Sequence, residues 1–261
     1  MFSSCDVSMY RNNPLRVQFE ASRRAREPIE LVRVVQRGVR VQLFAPDTLQ
    51  IGYTTMFVQL TDLASSKVLE TGSVQIVPML RTALHDRTAP VQDASLAAVS
   101  SFGAMRFPCN VLLLERGNYE LIIVWSAAGK HDTARVLVPV GTSWRVVQVR
   151  GSDSRIYLLT FAEPQRPRVG VQDFSVFVHC LDTSMHRNHE AYIPVSDLQL
   201  HHEPTMPSMG HGSEGNVPLV HRAHGRYDGK ISFNMTGDWR IDMTAWRGNS
   251  LLFETLFFFI L

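Results

Sequence analysis

The feature that most constrains this chain is that it repeats itself. The stretch Arg40–Leu63 and the stretch Arg155–Thr183 both run from an alternating apolar segment through a Pro-containing turn and a Gly into a second segment ending in Asp. Phe57–Asp62 (FVQLTD) matches Phe177–Asp182 (FVHCLD) at a spacing of 120. Further on, VLLLERGNYEL from Val111 faces ISFNMTGDWRI from Ile231 at the same spacing, so Gly117 answers Gly237, Tyr119 answers Trp239 and Leu121 answers Ile241. Each half then closes with one more apolar segment, TARVLVPV in the first and LLFETLFFFI in the second. Two equal spacings around a divergent middle point to duplication, with a seam near residues 141–154.

Within each half the apolar residues alternate with period two. FVQL, SVQIV, YELIIVW and ARVLVPV are short, rich in β-branched and aromatic residues, and bounded by Gly, Pro, Asn, Asp or Ser. Helical windows are few, and Ala94–Ser101 is the one short turn of helix expected within the body. Many short strands in units of this size predict an all-β chain, two tandem immunoglobulin-like antiparallel β-sandwiches. The expected units are an N-terminal arm at residues 1–35, a first sandwich at 36–146 and a second at 147–261. Gly117-Asn118 and Gly237-Asp238 sit where a tight turn must deliver a large aromatic, so Tyr119 and Trp239 read as core anchors.

Composition narrows the function classes. With 45% apolar and 19% charged residues the chain can bury a core. Its 26 basic and 24 acidic residues give a net charge of +2, too balanced for a dedicated nucleic-acid binder. No apolar run reaches the ~18–20 residues of a membrane-spanning helix. Three cysteines, Cys5, Cys109 and Cys180, are too few and scattered for a disulfide framework or a zinc cage. The first residues carry no intact secretory signal, although Ser3-Ser4-Cys5 looks like the tail of a lipoprotein processing site. The plainer reading of Cys5 is an ordinary thiol. No nucleophile elbow, phosphate loop or paired carboxylate stands out, so an enzyme is not expected.

Eight of the ten histidines fall between His179 and His224. The segment His201–Gly225 mixes them with Met, Pro and Gly and reads as a long surface loop between strands ending near Leu200 and beginning near Tyr227. Thioether sulfur suits Cu(I), and imidazole binds copper in both oxidation states, so this mixture fits copper better than zinc. The candidate metal ligands are Met206, Met209, His211 and His221, with His202 and Met235 in reserve. The competing reading makes Met206 and Met209 a packing plug at the open end of the sandwich. Met235 reads as core, His179 as a packed residue, and His186 and His189 as solvated. At a constant spacing Met206 falls opposite Asp86, or with a local gap Met79 and His85 stand for one Met and one His. Either way the first copy lacks a full donor set.

The string EPTMPSMGHG, followed by RYDGKISFNMTGDWRIDM, resembles the YtkA-like family of small extracytoplasmic β-sandwich domains. The residues that carry the resemblance are Met206, Pro207, Met209 and His211, then Tyr227 and Gly229, then Phe233, Met235, Gly237 and Trp239. The match is specific over Pro204–Met243 and extends over residues 155–261, the first half being a degenerate copy. The resemblance implies an immunoglobulin-like fold, a periplasmic or other extracytoplasmic location, and a role in copper handling or in the assembly of copper-dependent enzymes. Two classes of function follow. One is a copper-binding accessory protein, membrane-anchored if Cys5 is lipidated, that holds one ion, Cu(I) favoured. The other is a non-catalytic subunit docked on a larger respiratory, photosynthetic or envelope assembly. Both call for a protein partner.

Overall fold

The computed structural model describes residues 27–261 apart from 47, 84–85 and 184–188, together with the backbone but not the side chain of His189. The expectations for Cys5, His85 and His186 lie outside the described residues. Among the described residues all regular structure is strand, and no helix is long and apolar enough to cross a membrane.

The first half is two antiparallel sheets face to face. One runs Ile29–Gln36, Val39–Ala45, Gly52–Asp62, Ala104–Leu113 and Val99–Ser101; the other runs Lys130–Val140, Gly117–Ala127, Thr71–Arg81 and Asp86–Thr88, with Ser95–Ala97 against Thr71–Arg81. The period-two pattern explains the layering. Val39, Val41 and Leu43, then Met56, Val58 and Leu60, turn inward from the first sheet to meet Val74, Ile76, Leu121, Ile123 and Trp125 of the second. Burying a side chain of this size contributes about 1.5–3 kcal/mol, and these form one continuous core.

The second half repeats the plan. Val146–Arg150, Ile156–Glu163, Gly170–Asp182, Arg226–Phe233 and Val217–His221 form one layer. Gln199–Met206, Asp238–Arg247 and Ser250–Ile260 form the other. Between them lies a core dominated by aromatics, with Phe161 against Phe174 and Phe257, and Phe233 against Trp239 and Phe259.

Three expectations change. The first sheet starts earlier than residue 36, because Ile29–Gln36 pairs along Val39–Ala45 just as Val146–Arg150 pairs along Ile156–Glu163. Ala94–Ser101 is not helical: Ser95–Ala97 and Val99–Ser101 are short edge strands on opposite layers. The repeat spacing is also not uniform. Gly52 pairs with Leu113 as Gly170 pairs with Phe233, and Val39 pairs with Asp62 as Tyr157 pairs with Cys180. The equivalent of Asp62 is therefore Cys180, two positions short of the Asp182 that the sequence match selects. A slip of two preserves which face each side chain occupies, so the apolar pattern does not expose it.

The halves meet through backbone pairing, ion pairs and an apolar cluster. Asp86–Thr88 pairs in parallel with residues 189–191 of the His189–Pro194 strand, extending one sheet into the next. Arg87 bridges Glu115 of its own half and Glu190 of the other. Leu112 and Leu114 pack on Leu158, Ala162, Phe177 and Tyr192 in a third cluster, with Tyr53 5.4 Å from the Phe177 ring. The connector is docked as well. Trp144 stacks on Phe259 at 4.5 Å, and the Arg145 guanidinium donates to the carbonyls of Phe161, Pro164 and Gln165.

Candidate functional site

The Met/His segment is mostly strand. Gln199–Met206 is held by Asp238–Arg247 along its length, from Gln199↔Trp246 to Thr205↔Arg240. It then turns at Pro207–Gly210 and returns as His211–Gly212, pairing Thr205↔Gly212 and Met206↔His211. The turn closes on itself, because the Met209 and Gly210 amides both donate to the Met206 carbonyl, at 3.1 and 2.9 Å. Gly210 takes φ +68°, a left-handed value that favours glycine. The prolines that suggest a loop are accommodated at the turn (Pro207) and in the irregular pairing between Val217 and Val220 (Pro218).

This hairpin brings three of the four candidate ligands together. Residues directly opposite in an antiparallel ladder share a face, with Cβ atoms roughly 4.5–5.5 Å apart, so Met206 and His211 are side by side. Met209 sits in the turn between them and is 59% exposed. The His211 Nδ1 lies 3.0 Å from the Gly212 carbonyl. For a neutral imidazole that contact places the proton on Nδ1 and leaves the Nε2 lone pair free, the arrangement typical of a metal-ligating histidine. Met206 is different. It is 6% exposed and belongs to the aromatic core, its methyl lying against Gly237.

His221 is not part of this group. The Val217–His221 strand meets Gln199–Met206 at Leu200↔Leu219 and runs antiparallel to it, so His221 lies beyond Leu200 while Met206 lies six residues the other way. At ~3.3 Å per residue those six residues alone put His221 more than about 20 Å from the hairpin. There it packs edge-on against Tyr227 at 5.1 Å, with its Nε2 buried and unbonded. The sequence grouped His221 with the others because it counted separation along the chain through a segment that doubles back. His202 also stays apart: its Nε2 donates to the Lys230 carbonyl at 3.1 Å and its ring packs on Phe174, where burial pushes its pKa down.

One contributor was underrated. Met235 is not core; it lies past the end of the Arg226–Phe233 strand, 37% exposed, in the turn leading to Gly237. That turn adjoins the hairpin. The Ser208 amide and hydroxyl both donate to the Asp238 carboxylate, holding its pKa below the usual range, and Trp239 Nε1 donates to the Met235 carbonyl at 3.0 Å. Met206, Met209, His211 and Met235 thus occupy one end of the second sandwich. The clue available in the sequence is the Gly237-Asp238 turn, which has to fold back beside whatever precedes the neighbouring strand. No group of three or more His, Cys, Asp or Glu converges on a metal site among the described residues, so an ion held here would rest on thioether sulfur.

The equivalent end of the first half has an aliphatic residue where the second has a thioether, and the ladder partner of that residue on the far side is Arg87, which bridges Glu115. Tyr119 pairs with Leu80, and Trp239, one step beyond the Thr205↔Arg240 pair, lies across from Met206. Leu80, and neither Asp86 nor Met79, therefore stands where Met206 stands. A Cβ on Gly117 would come within 2.7 Å of Leu80 Cδ1, as one on Gly237 would run into the Met206 methyl.

Residues 154–244 match the model of the YtkA-like family. No curated protein sequence matches the chain. Among solved structures, domains 5–6 of the S-layer protein SbsC align with 89% of this chain and 98% of theirs, at 14% identity and a TM-score of 0.30. Red sea bream transglutaminase aligns with 96% of this chain and 34% of its own, at 11% identity and a TM-score of 0.23. Scores that low carry no argument.

Proposed function

With a second half that is YtkA-like in sequence, we propose that this protein is an extracytoplasmic, non-enzymatic accessory protein that holds one copper ion, preferentially Cu(I), at the end of its second sandwich. The observation that supports this most is the Met206–His211 ladder pair with Met209 in the connecting turn. It gathers two soft sulfurs and an imidazole with a free Nε2 within one short hairpin. Met235 in the adjoining turn replaces His221 as the fourth donor in reach. Met209, His211 and Met235 are at least partly exposed, so an ion could be received from and passed to a protein partner. Met206 reaches it only from the edge of the core.

The test is replacement of both hairpin thioethers. Met206→Leu/Met209→Leu keeps the volume and removes the sulfur lone pairs, so folding is retained while Cu(I) uptake, read by competition with a chromogenic Cu(I) chelator, collapses. Unchanged uptake in that variant eliminates the copper reading.

The second reading is a non-catalytic subunit of a larger membrane-associated assembly. It is favoured by the burial of Met206 and by the junction, in which a shared sheet, the Arg87 bridge and the docked connector tie the two halves together. Copurification of the native protein separates the two readings.

A further inference from the structure

The junction contains one side chain that the packing does not explain. His179 lies on the outer face of the second half's first layer, the face that packs on the first half. It is fully buried, and neither ring nitrogen has a hydrogen-bond partner. Its neighbours are placed by the ladder. Leu158 and Pro194 lie directly across from it, with Thr160 and Tyr192 diagonal to it beside Phe177 and Leu181. The Thr160 hydroxyl and the Tyr192 hydroxyl are also buried and unbonded. Three unsatisfied polar side chains on one face is a costly arrangement, since each buried unmade hydrogen bond costs roughly 1–3 kcal/mol. Leu112, Leu114 and Tyr53 complete the same cluster from the first half.

We propose that His179 is an acid-sensitive latch between the two halves: neutral, it permits the Leu112–Phe177 junction to close, and protonated, it opens that junction while each sandwich stays folded. Among the described residues the acidic side chains on this face, Asp228 and Glu163, lie across from Ser175, four positions along the strand from His179, and Asp228 is already engaged by the Ser175 hydroxyl and the Arg226 guanidinium. Own-strand neighbours on this face are Ser175, Phe177 and Leu181. The flanking strands offer Leu158, Thr160, Tyr192 and Pro194, and the first half offers Leu112, Leu114 and Tyr53. The charges that share this face are Arg226, across from Phe177 and 5.9 Å from its ring, and Asp228 and Glu163, both across from Ser175; beyond them lies the Arg87 network, whose two carboxylates are engaged by Arg87. Opening the junction hydrates His179 without unfolding the second core, because Leu158, Phe177 and His179 face the junction while the alternating Leu159, Val176 and Val178 of the same strands face that core.

Burial alone pushes the His179 pKa down to about 3 in the closed form, against an ordinary value of 6.5. The sign follows. A base whose pKa is depressed in the closed form is neutral in both forms above about pH 6.5, so closure is at full strength there. Below that the open form binds a proton that the closed form refuses, and the closed-to-open ratio falls about tenfold per pH unit until about pH 3.

The experiment is small-angle X-ray scattering of the full chain between pH 7.5 and 4.5, paired with circular dichroism. The expected result is a reversible rise in radius of gyration below pH 6.5, with the strand signal unchanged. His179→Phe, which fills the site beside Phe177 and cannot titrate, stays compact over the same range while retaining the Arg87 bridges. If His179→Phe does not fold, His179→Leu takes its place. Leu112→Asp, which places a charge in the same junction from the other half, gives the open dimensions already at pH 7.5. Identical pH profiles for the wild type and the His179 variant overturn the proposal. So does an expansion that coincides with loss of the strand signal.

Discussion

The two halves solve one packing problem with different side chains. In each, a glycine at φ near +150° starts a strand whose second residue after it is a buried aromatic: Gly117 before Tyr119, Gly237 before Trp239. In each, the aromatic's polar tip reaches back four residues to the main chain of the preceding turn. The direction is opposite. Tyr119 Oη accepts from the Glu115 amide at 3.2 Å, whereas Trp239 Nε1 donates to the Met235 carbonyl at 3.0 Å. Across the ladder the first half has Leu80 and the second has Met206. The first half shows that a plain aliphatic residue satisfies this architecture, so packing alone does not require sulfur at 206. That contrast lends the copper reading its weight, and it can be broken experimentally.

The largest effect falls on the shared glycines. A Cβ at Gly237 collides with the Met206 methyl and must adopt a backbone conformation that L-residues rarely occupy; at Gly117 it meets Leu80 under the same constraint. Gly237→Ala and Gly117→Ala should each cost on the order of 3 kcal/mol, combining backbone strain with overpacking. Denaturant midpoints measure this. Adding Met206→Ala to Gly237→Ala removes the clash but opens a cavity, so the pair should cost less than the sum of the two single variants and still retain the strain. A free substitution at either glycine would show that the two turns are not equivalent.

The aromatic anchors come next. Tyr119→Phe removes one hydrogen bond and strands the Glu115 amide, a loss of about 1 kcal/mol. Trp239→Phe strands the Met235 carbonyl and also leaves a void among Phe233, Phe259 and Met206, so about 2–4 kcal/mol is expected. If the two substitutions cost the same, the anchors are interchangeable and the second core is less tightly fitted than its aromatic contacts indicate.

Much of this comparison was legible in the sequence, and the failures have physical reasons. The glycine–aromatic pairs and the all-β pattern could be read directly, because a turn needing glycine and a period of two leave local marks. The register of the Gly52–Asp62 and Gly170–Asp182 strands could not, because a two-residue slip leaves inward and outward faces unchanged. Residues 201–225 read as a loop because Pro204, Pro207 and Pro218 argue against strand, whereas a turn and an irregular pairing absorb the latter two and strand Gln199–Met206 carries Pro204 itself. His221 was grouped with Met206 for the same reason. The junction around His179 and the parallel pairing of Asp86–Thr88 with residues 189–191 involve segments far apart in the chain, and no local pattern records them.

The smallest effect on stability is the most informative about function. Exchanging the ladder residues, Met206→Leu in one variant and Leu80→Met in another, makes each half carry the other's side chain. Both are near-isosteric changes in a packed core and should each cost less than about 1.5 kcal/mol, so melting temperatures should barely move. Their copper behaviour should diverge. Met206→Leu removes the thioether that faces His211 and weakens Cu(I) binding, whereas Leu80→Met creates no site, because the first half presents no hairpin histidine opposite position 80 among the described residues. A Met206→Leu protein that melts normally and binds Cu(I) as tightly as the wild type would place the ion on the exposed Met209, His211 and Met235 alone. A Met206→Leu protein that binds normally but melts several degrees lower would instead identify Met206 as a packing residue whose flexible side chain, unlike leucine, fits around Gly237.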